Sequence, residues 1–507
     1  MEAQPPIVPL DEANRRLVAE VHPPDWVNPE PADRYDLVVI GAGTGGLVSA
    51  AIGAAVGARV ALVERHLMGG DCLNTGCVPS KAVLRAARAW AGARAAADRF
   101  GGPPVAGEGD FGAVMARMRG LRADISEVDG AERFRSLGVD VFFGQARFTS
   151  ARAVDVDGAA LRFRRAILAA GGRPALPPIP GLAEAEPHTS DTIFGLTERP
   201  ERLVVLGAGP IGCELAQAFA RLGSRVTLVN RSDRVLSKEE PEAAEIVRRA
   251  LERDGVVFRG GRRVLRVERG AEGTTLVCGT GGGEERIAGD ALLVALGRTP
   301  NVEGLDLAAA GVEMGPEGVA TDERLRTTNR AIYAVGDIAS RLQFTHAADA
   351  QARLAIRNAL FFGRGKKSRL VIPRATYTSP EVAAVGRTSG RADGDGAMES
   401  VTVPLADVDR ARLDGEEEGF VRVHLAPGKD RILGATIVAE HAGELISQVT
   451  QALATGTGLS ALGDMVYPYP TVAEALRKAA DARRRDKLTP RARRMLEIFL
   501  AVTRRLP

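Results

Sequence analysis

Residues 35–46 read Tyr35-Asp36-Leu37-Val38-Val39-Ile40-Gly41-Ala42-Gly43-Thr44-Gly45-Gly46. The apolar run before Gly41 lacks the alternation of a half-exposed strand. It predicts a strand buried on both faces of a parallel sheet. Gly41, Gly43 and Gly46 allow a tight turn and a close approach of backbone N–H groups to a pyrophosphate. The Ala-rich stretch that follows predicts a helix whose N-terminus faces the same anion. A second strand, Arg59 to Val63, ends at Glu64, 23 residues after Gly41. A carboxylate at that distance is placed to grip a ribose 2′-hydroxyl.

The unit recurs. Arg202 to Leu206 predicts a strand, Gly207-Ala208-Gly209-Pro210-Ile211-Gly212 a turn, Cys213 to Leu222 a helix and Arg225 to Val229 the next strand. One glycine fingerprint is a weak signal; two, each after a strand and opening a helix, are strong. The spacing is too long for a solenoid and predicts two separate dinucleotide-binding domains. The second unit has Asn230 where the first has Glu64, followed by Arg231 and Arg234. Two guanidiniums without a carboxylate suit a 2′-phosphate, so NADPH is expected there, with NADH the alternative.

Composition bounds the rest. With 507 residues the chain has room for about three domains. Its 67 Lys and Arg nearly balance 64 Asp and Glu, which gives no nucleic-acid signature. Met1 to Leu10 shows neither a basic nor an apolar leader pattern, and cysteines are few, so a reducing cytoplasm is the expectation. Leu37 to Val63 is broken by glycines and Arg59 and reads as strand, turn, helix and strand rather than a membrane span. Phe111 to Leu137 predicts helix and Val139 to Phe163 short strands. Residues 279–285 and 388–397 read as Gly-rich loops. Strands at Val401–Val403 and Phe420–Leu425 and helices at Ala442–Ala454 and Val472–Ala482 predict a third, mixed domain.

Two of the four cysteines lie in Gly69-Gly70-Asp71-Cys72-Leu73-Asn74-Thr75-Gly76-Cys77-Val78-Pro79-Ser80-Lys81. No second Cys or His pair offers zinc spacing, so redox chemistry is the stronger reading. A helix start near the cysteines and Lys81 one turn beyond Cys77 would favour thiolate. Cys213 and Cys278 carry no motif and read as buried or incidental.

This segment resembles the active-site segment of the class I pyridine nucleotide-disulfide oxidoreductases, which include glutathione reductase, dihydrolipoamide dehydrogenase and mercuric reductase. The resemblance covers about residues 34–480. It implies an α/β fold: Rossmann-type FAD and NAD(P) domains and a C-terminal α+β dimerisation domain. The expected boundaries are an extension over 1–33, the FAD domain over 34–182 and 295–369, the NAD(P)H domain over 183–294 and the interface domain over 370–482. A basic amphipathic tail occupies 483–507. The resemblance further implies that Cys77 is the thiol near the flavin and Cys72 the interchange thiol of a redox-active disulfide. Lys81 would sit near the flavin with Glu214 as its ion-pair partner. Gly41, Gly43, Gly46, Glu64, Gly70, Gly297, Asp337, Thr345, His346 and Ala347 are expected around FAD. Gly207, Gly209, Gly212, Asn230, Arg231 and Arg234 are expected around NADPH.

One position departs from the disulfide reductases. Tyr467-Pro468-Tyr469-Pro470-Thr471-Val472-Ala473-Glu474 puts Tyr469 where they have a proton-shuttling His, and keeps Glu474. An unperturbed tyrosine, with pKa about 10, is a poor base at neutral pH. Mercuric reductases resemble this chain there, and reduction of Hg(II) held by Cys72 and Cys77 does not need that base. The sequence has neither the N-terminal Cys-x-x-Cys nor the vicinal cysteines that many of them carry. Hg(II) would arrive directly as a small-thiol complex. The alternatives are reduction of another small disulfide or electrophile, with Tyr469 as proton donor, and a slow-turnover flavoprotein redox sensor or partner-docking protein. The family is homodimeric, so Tyr469 and Glu474 are expected to act in the partner's site. The tail is expected to pack on the body or across the dimer rather than on a membrane.

Overall fold

The computed structural model describes residues 7–107, 109–271, 273–389 and 397–504. Most of the expected 388–397 loop, residues 1–6 of the extension and residues 505–507 of the tail lie outside them. The chain divides into two compact units. The first holds 1–235 and 251–370; the second holds 236–250 and 371–507.

The first unit contains both nucleotide-binding folds. A seven-stranded sheet runs in the order 139–143, 60–64, 35–40, 159–168, 153–156 and 146–150, with Ile332–Ala334 also paired to 159–168. The run Tyr35–Ile40 is its central parallel strand, in register with Val60–Val63 on one side and Phe163–Leu168 on the other. It is buried on both faces, as a continuous apolar run requires. The second sheet is parallel and four-stranded, ordered 257–259, 225–229, 202–206 and 291–294. An antiparallel pair, Arg298–Pro300 with Gly172–Pro174, joins the return segment to the first fold.

Two expectations need correction. The helix over 111–137 is two helices, Phe111–Asp129 and Ala131–Ser136, broken at Gly130. Gly130 has an extended backbone that ends the first helix and caps the second. Residues 279–285 lie mostly in strands Gly273–Thr280 and Gly283–Gly289, a hairpin in which only the glycine tip is a turn. The extension is ordered from residue 7. Helix Glu12–Val21 starts on an Asp11 cap and buries Leu17 and Val21. Trp26 donates Nε1 to Val141 O at 3.2 Å and meets Phe143 edge-on.

The second unit is a five-stranded antiparallel sheet ordered 374–376, 381–386, 432–439, 420–425 and 399–404. Its core draws on the sheet and on helices Ala442–Thr455, Leu459–Gly463 and Glu474–Lys487. The inserted 236–250 segment brings Glu239 and Glu240 to this unit. Arg374 forks onto Glu239 at 2.7 and 2.9 Å. The fully buried Glu240 receives Arg422 at 2.7 Å, Ser389 Oγ at 2.8 Å and His424 Nε2 at 2.8 Å. Burial alone would raise its pKa, but hydrogen bonds from His424, Ser389 and Arg422 hold it at about 2.

Helix Pro490–Thr503 follows. None of its described residues is buried, so the expected packing against the body of its own protomer is not found. Among the described residues no helix is long and apolar enough to cross a membrane.

Candidate active site

The first fingerprint leaves no room for side chains where strand meets helix. A Cβ on Gly46 would stand 1.7 Å from Gly41 O, and one on Gly41, at φ +97°, 2.5 Å from Ala169 O. Glu64 closes the turn from beside it. Its carboxylate accepts from Ala42 N at 2.7 Å and from His66 N at 2.9 Å, and burial pushes its pKa up. Gly70, at φ +57°, presses on this cradle so closely that its Cβ would stand 2.6 Å from Gly43 Cα. The cysteine segment therefore rests on the phosphate-binding turn.

Cys72 lies in the short helix Gly70–Asn74, and Cys77 opens the long helix Cys77–Phe100. Both are free thiols, and a hydrogen bond links them. The thiols are unequal. Cys77 is lowered to about 6 by the hydrogen bond from Cys72, with help from Thr345 and the Lys81 charge against burial and Glu214. Cys72 is raised by the same hydrogen bond and by burial. Cys77 is thus the thiolate of the pair and Cys72 the thiol. Cys77 has solvent-accessible surface, although protein walls it on most sides.

Neighbouring elements fix these groups. Thr345, first residue of helix Thr345–Leu360, sets its Oγ1 3.2 Å from Cys77 Sγ. His346 stacks on Phe344, with ring centroids 5.3 Å apart, and Ala347 is buried. Lys81 Nζ pairs with Glu214 Oε2 at 2.8 Å, and Glu214 is buried in the helix of the second fingerprint. Arg122 donates to Asn74 O at 2.5 Å and to Asn14 Oδ1 at 2.6 Å, tying the cysteine segment to the extension's helix.

Asp337 is mostly buried, which raises its pKa, and it accepts from Arg298 Nε at 2.9 Å. Arg298 also bonds Asp71 and Gly172 O, so one guanidinium links the residue before Cys72 to Asp337. The sequence reading placed Gly297 here, at φ +118°, but missed Arg298. Its signal was a basic residue in an otherwise apolar strand-turn segment. Arg122 and the Thr345 bond to sulfur were also missed.

The second fingerprint repeats the first with one substitution. A Cβ on Gly212 would lie 1.8 Å from Gly207 O, whereas one on Gly209 would meet nothing within 4 Å. The turn is closed below and open above, as a passing pyrophosphate requires. Asn230 Oδ1 accepts from Ala208 N at 3.3 Å, as Glu64 accepts from Ala42 N. Its amide donates to Ser232 O and Arg234 O, at 3.2 and 3.1 Å, which turns the loop and leaves Arg231 exposed. Cys213 and Cys278 are buried.

Tyr469 and Glu474 lie in the second unit. Tyr469 is 71% exposed and donates to Asp409 Oδ2 at 3.0 Å; that bond and the Asp409 charge raise its pKa. Glu474 is buried and bonded through Oε1 to Arg477, while its Oε2 has no partner among the described residues.

Comparison with known proteins agrees with this architecture. Residues 35–352 match the pyridine nucleotide-disulphide oxidoreductase model, and residues 372–480 match the dimerisation domain of the same family. A mercuric reductase of Staphylococcus aureus is 34% identical over 484 residues, 93% of this chain and 88% of that protein. A dihydrolipoyl dehydrogenase of Thermus scotoductus is 35% identical over 460 residues, 88% of this chain and 97% of that protein. Among solved structures, the HOCl-induced flavoprotein disulfide reductase RclA from Escherichia coli superposes with a TM-score of 0.77. It is 27% identical, and the match covers 88% of this chain and 99% of that one. LpdA from Mycobacterium tuberculosis superposes with a TM-score of 0.79 at 26% identity, over 88% of this chain and 99% of its own.

The fold and its paired glycine turns define a two-nucleotide flavoprotein oxidoreductase. The chain belongs to the pyridine nucleotide-disulphide oxidoreductase family. Members use FAD and NAD(P)H, and the two glycine cradles fit a pyrophosphate each. The family's dimerisation domain in the second unit supports a homodimer.

Proposed function

We propose that the protein oxidises NADPH and reduces Hg(II), delivered as a small-thiol complex, at Cys72 and Cys77. The observation that carries this reading is the pairing of a preformed Cys77 thiolate with an exposed tyrosine of raised pKa where disulfide reductases keep a histidine. The mercuric reductases among its relatives support it.

Bound FAD would supply two-electron transfer between the nicotinamide and the cysteine pair. Gly41, Gly43, Gly46, Gly70, Glu64 and Asp337 would hold it, with Thr345, His346 and Ala347 at a helix N-terminus able to favour negative charge. The chain's own groups do the rest. Cys72, the interchange thiol, takes the metal first, displacing one thiolate ligand that leaves with its proton. Cys77, held as thiolate by Cys72, Thr345 and Lys81, displaces the second ligand. Two electrons from NADPH then take Hg(II) to Hg(0); both Hg–S bonds break, Cys77 returns as thiolate, and the proton released on forming NADP⁺ restores Cys72. Glu214 holds Lys81 in place and limits its pull on the thiolate. Arg298 anchors Asp71 and so the start of the cysteine segment. Tyr469 and Glu474 of the partner protomer would border the site.

Anaerobic NADPH oxidation tests this. The expected result is sustained turnover with an Hg(II)–thiol complex, lost in Cys72→Ser and weak with oxidised glutathione or lipoamide. Inhibition by Hg(II) together with turnover on a disulfide would replace it with the second reading. That reading, a reductase of another small disulfide, is favoured by one feature: the Asp409 bond keeps Tyr469 protonated, a state suited to donating a proton. Preference for NADPH rests on Asn230 and exposed Arg231. Arg231→Glu should lower kcat/KM for NADPH by about 10-fold or more and leave NADH nearly unchanged. Equal losses with both nucleotides would remove the 2′-phosphate assignment.

A further inference from the structure

Charge is not spread evenly along this sequence. Residues 483–507 contain nine Lys and Arg against two Asp and Glu, a net +7, in a chain whose total is +3. The remaining residues therefore sum to −4. Arg483 and Arg484 belong to the body through bonds to Glu399 and Asp464, but the later basic residues lead into helix Pro490–Thr503.

That helix is locally encoded. Thr489 caps it, accepting from Ala492 N at 3.2 Å, and Pro490 takes the first turn. At about 100° per residue, Met495, Leu496, Ile498, Phe499, Leu500 and Val502 share one broad face. All are between 49% and 71% exposed. Arg493, Arg494 and Glu497 form the opposite face, and Arg493 pairs with Glu497 at 3.4 Å. A lone helix of about 14 residues is marginal in water, so a surface must receive that apolar face.

We infer that residues 488–504 form an interfacial helix that lies in the plane of an anionic lipid bilayer. Charge complementarity selects this occupant: residues 488–504 carry four arginines against one glutamate, and Arg493 and Arg494 border the apolar face. The matched dimerisation domain ends at residue 480, before this helix begins.

The test uses the flavin-loaded full chain and sedimentation with vesicles of phosphatidylglycerol and phosphatidylcholine, or of phosphatidylcholine alone. The full chain should sediment with the anionic vesicles, much less with the neutral ones, and be released by high salt. R493E/R494E should weaken partitioning by about 30-fold or more. L496S/F499S should weaken it without changing the salt dependence of what remains. Flavin content and molar mass by light scattering show that each variant is folded. No binding by the full chain, or binding undiminished by these substitutions, would overturn the inference. So would a change of molar mass on deleting 488–507, because the apolar face would then belong to a second copy.

Discussion

The cysteine region and the tyrosine region are built to different standards of completeness. Around Cys77 every described neighbour has a defined partner: Cys72, Thr345 and the Lys81–Glu214 pair all act on one sulfur. Around Tyr469 the reverse holds. The ring is exposed, its hydroxyl reaches a surface aspartate, and buried Glu474 turns to Arg477 with one oxygen unused. A thiolate needs continuous stabilisation, so its surroundings are packed into one unit. If Tyr469 serves as a proton donor, it is needed only when substrate arrives, and its hydroxyl rests meanwhile on the Asp409 carboxylate.

The contrast is broken first at sulfur. Cys77→Ser should lower turnover with any substrate by at least about a thousand-fold, with flavin content unchanged. Retained turnover would move the chemistry away from the cysteine region altogether. Next comes the pH dependence of that thiol. Alkylation of Cys77 by iodoacetamide should have its midpoint near pH 6, because the thiolate persists down to its lowered pKa, instead of near the ordinary 9.0. Lys81→Met removes a stabilising cation and should move the midpoint up by about one unit; Glu214→Gln should move it down. Shifts in the same direction would mean that general disruption, not charge, sets the thiol.

Smaller effects belong to the tyrosine region. Tyr469→Phe should cost less than about 3-fold with Hg(II) but about 100-fold with a disulfide that needs its proton. Equal losses would make the ring a packing element. Tyr469→His should raise activity with dihydrolipoamide-like dithiols if a missing base is their main barrier. No gain from about pH 6 to about pH 9 would instead assign their exclusion to the substrate pocket. The smallest effect should come from Asp409→Asn, which removes the charge that raises the Tyr469 pKa and should let the phenol ionise at lower pH in a spectroscopic titration.

What could be read in the sequence followed local rules. Both glycine turns, their flanking strands and the cysteine segment are contiguous patterns whose geometry is set within about thirty residues. The C-terminal strand Phe420–Leu425 was equally local. Long-range ion pairs were not legible. Arg298 and Asp71 stand 227 residues apart, and nothing local marks the two as a pair. Glu240 was hidden for the same reason, its partners Arg422 and His424 lying 182 and 184 residues away. The helix break at Gly130 failed differently: glycine inside a helical pattern is often tolerated, and nothing in the local pattern shows that this one ends one helix and caps the next.

The 236–250 segment has a consequence for recombination. A crossover near residue 370 looks natural in the linear sequence, yet it would graft a C-terminal module without the stretch that neutralises it. Where the other parent's stretch lacks a carboxylate at Glu240, Arg422 would lose its ion pair and His424 a hydrogen-bond partner, at a cost of about 3–5 kcal/mol for the broken Arg422 pair alone. Chimeras between relatives should therefore keep residues 236–250 and 371–482 from one parent. The two stretches are a single structural piece written in two places.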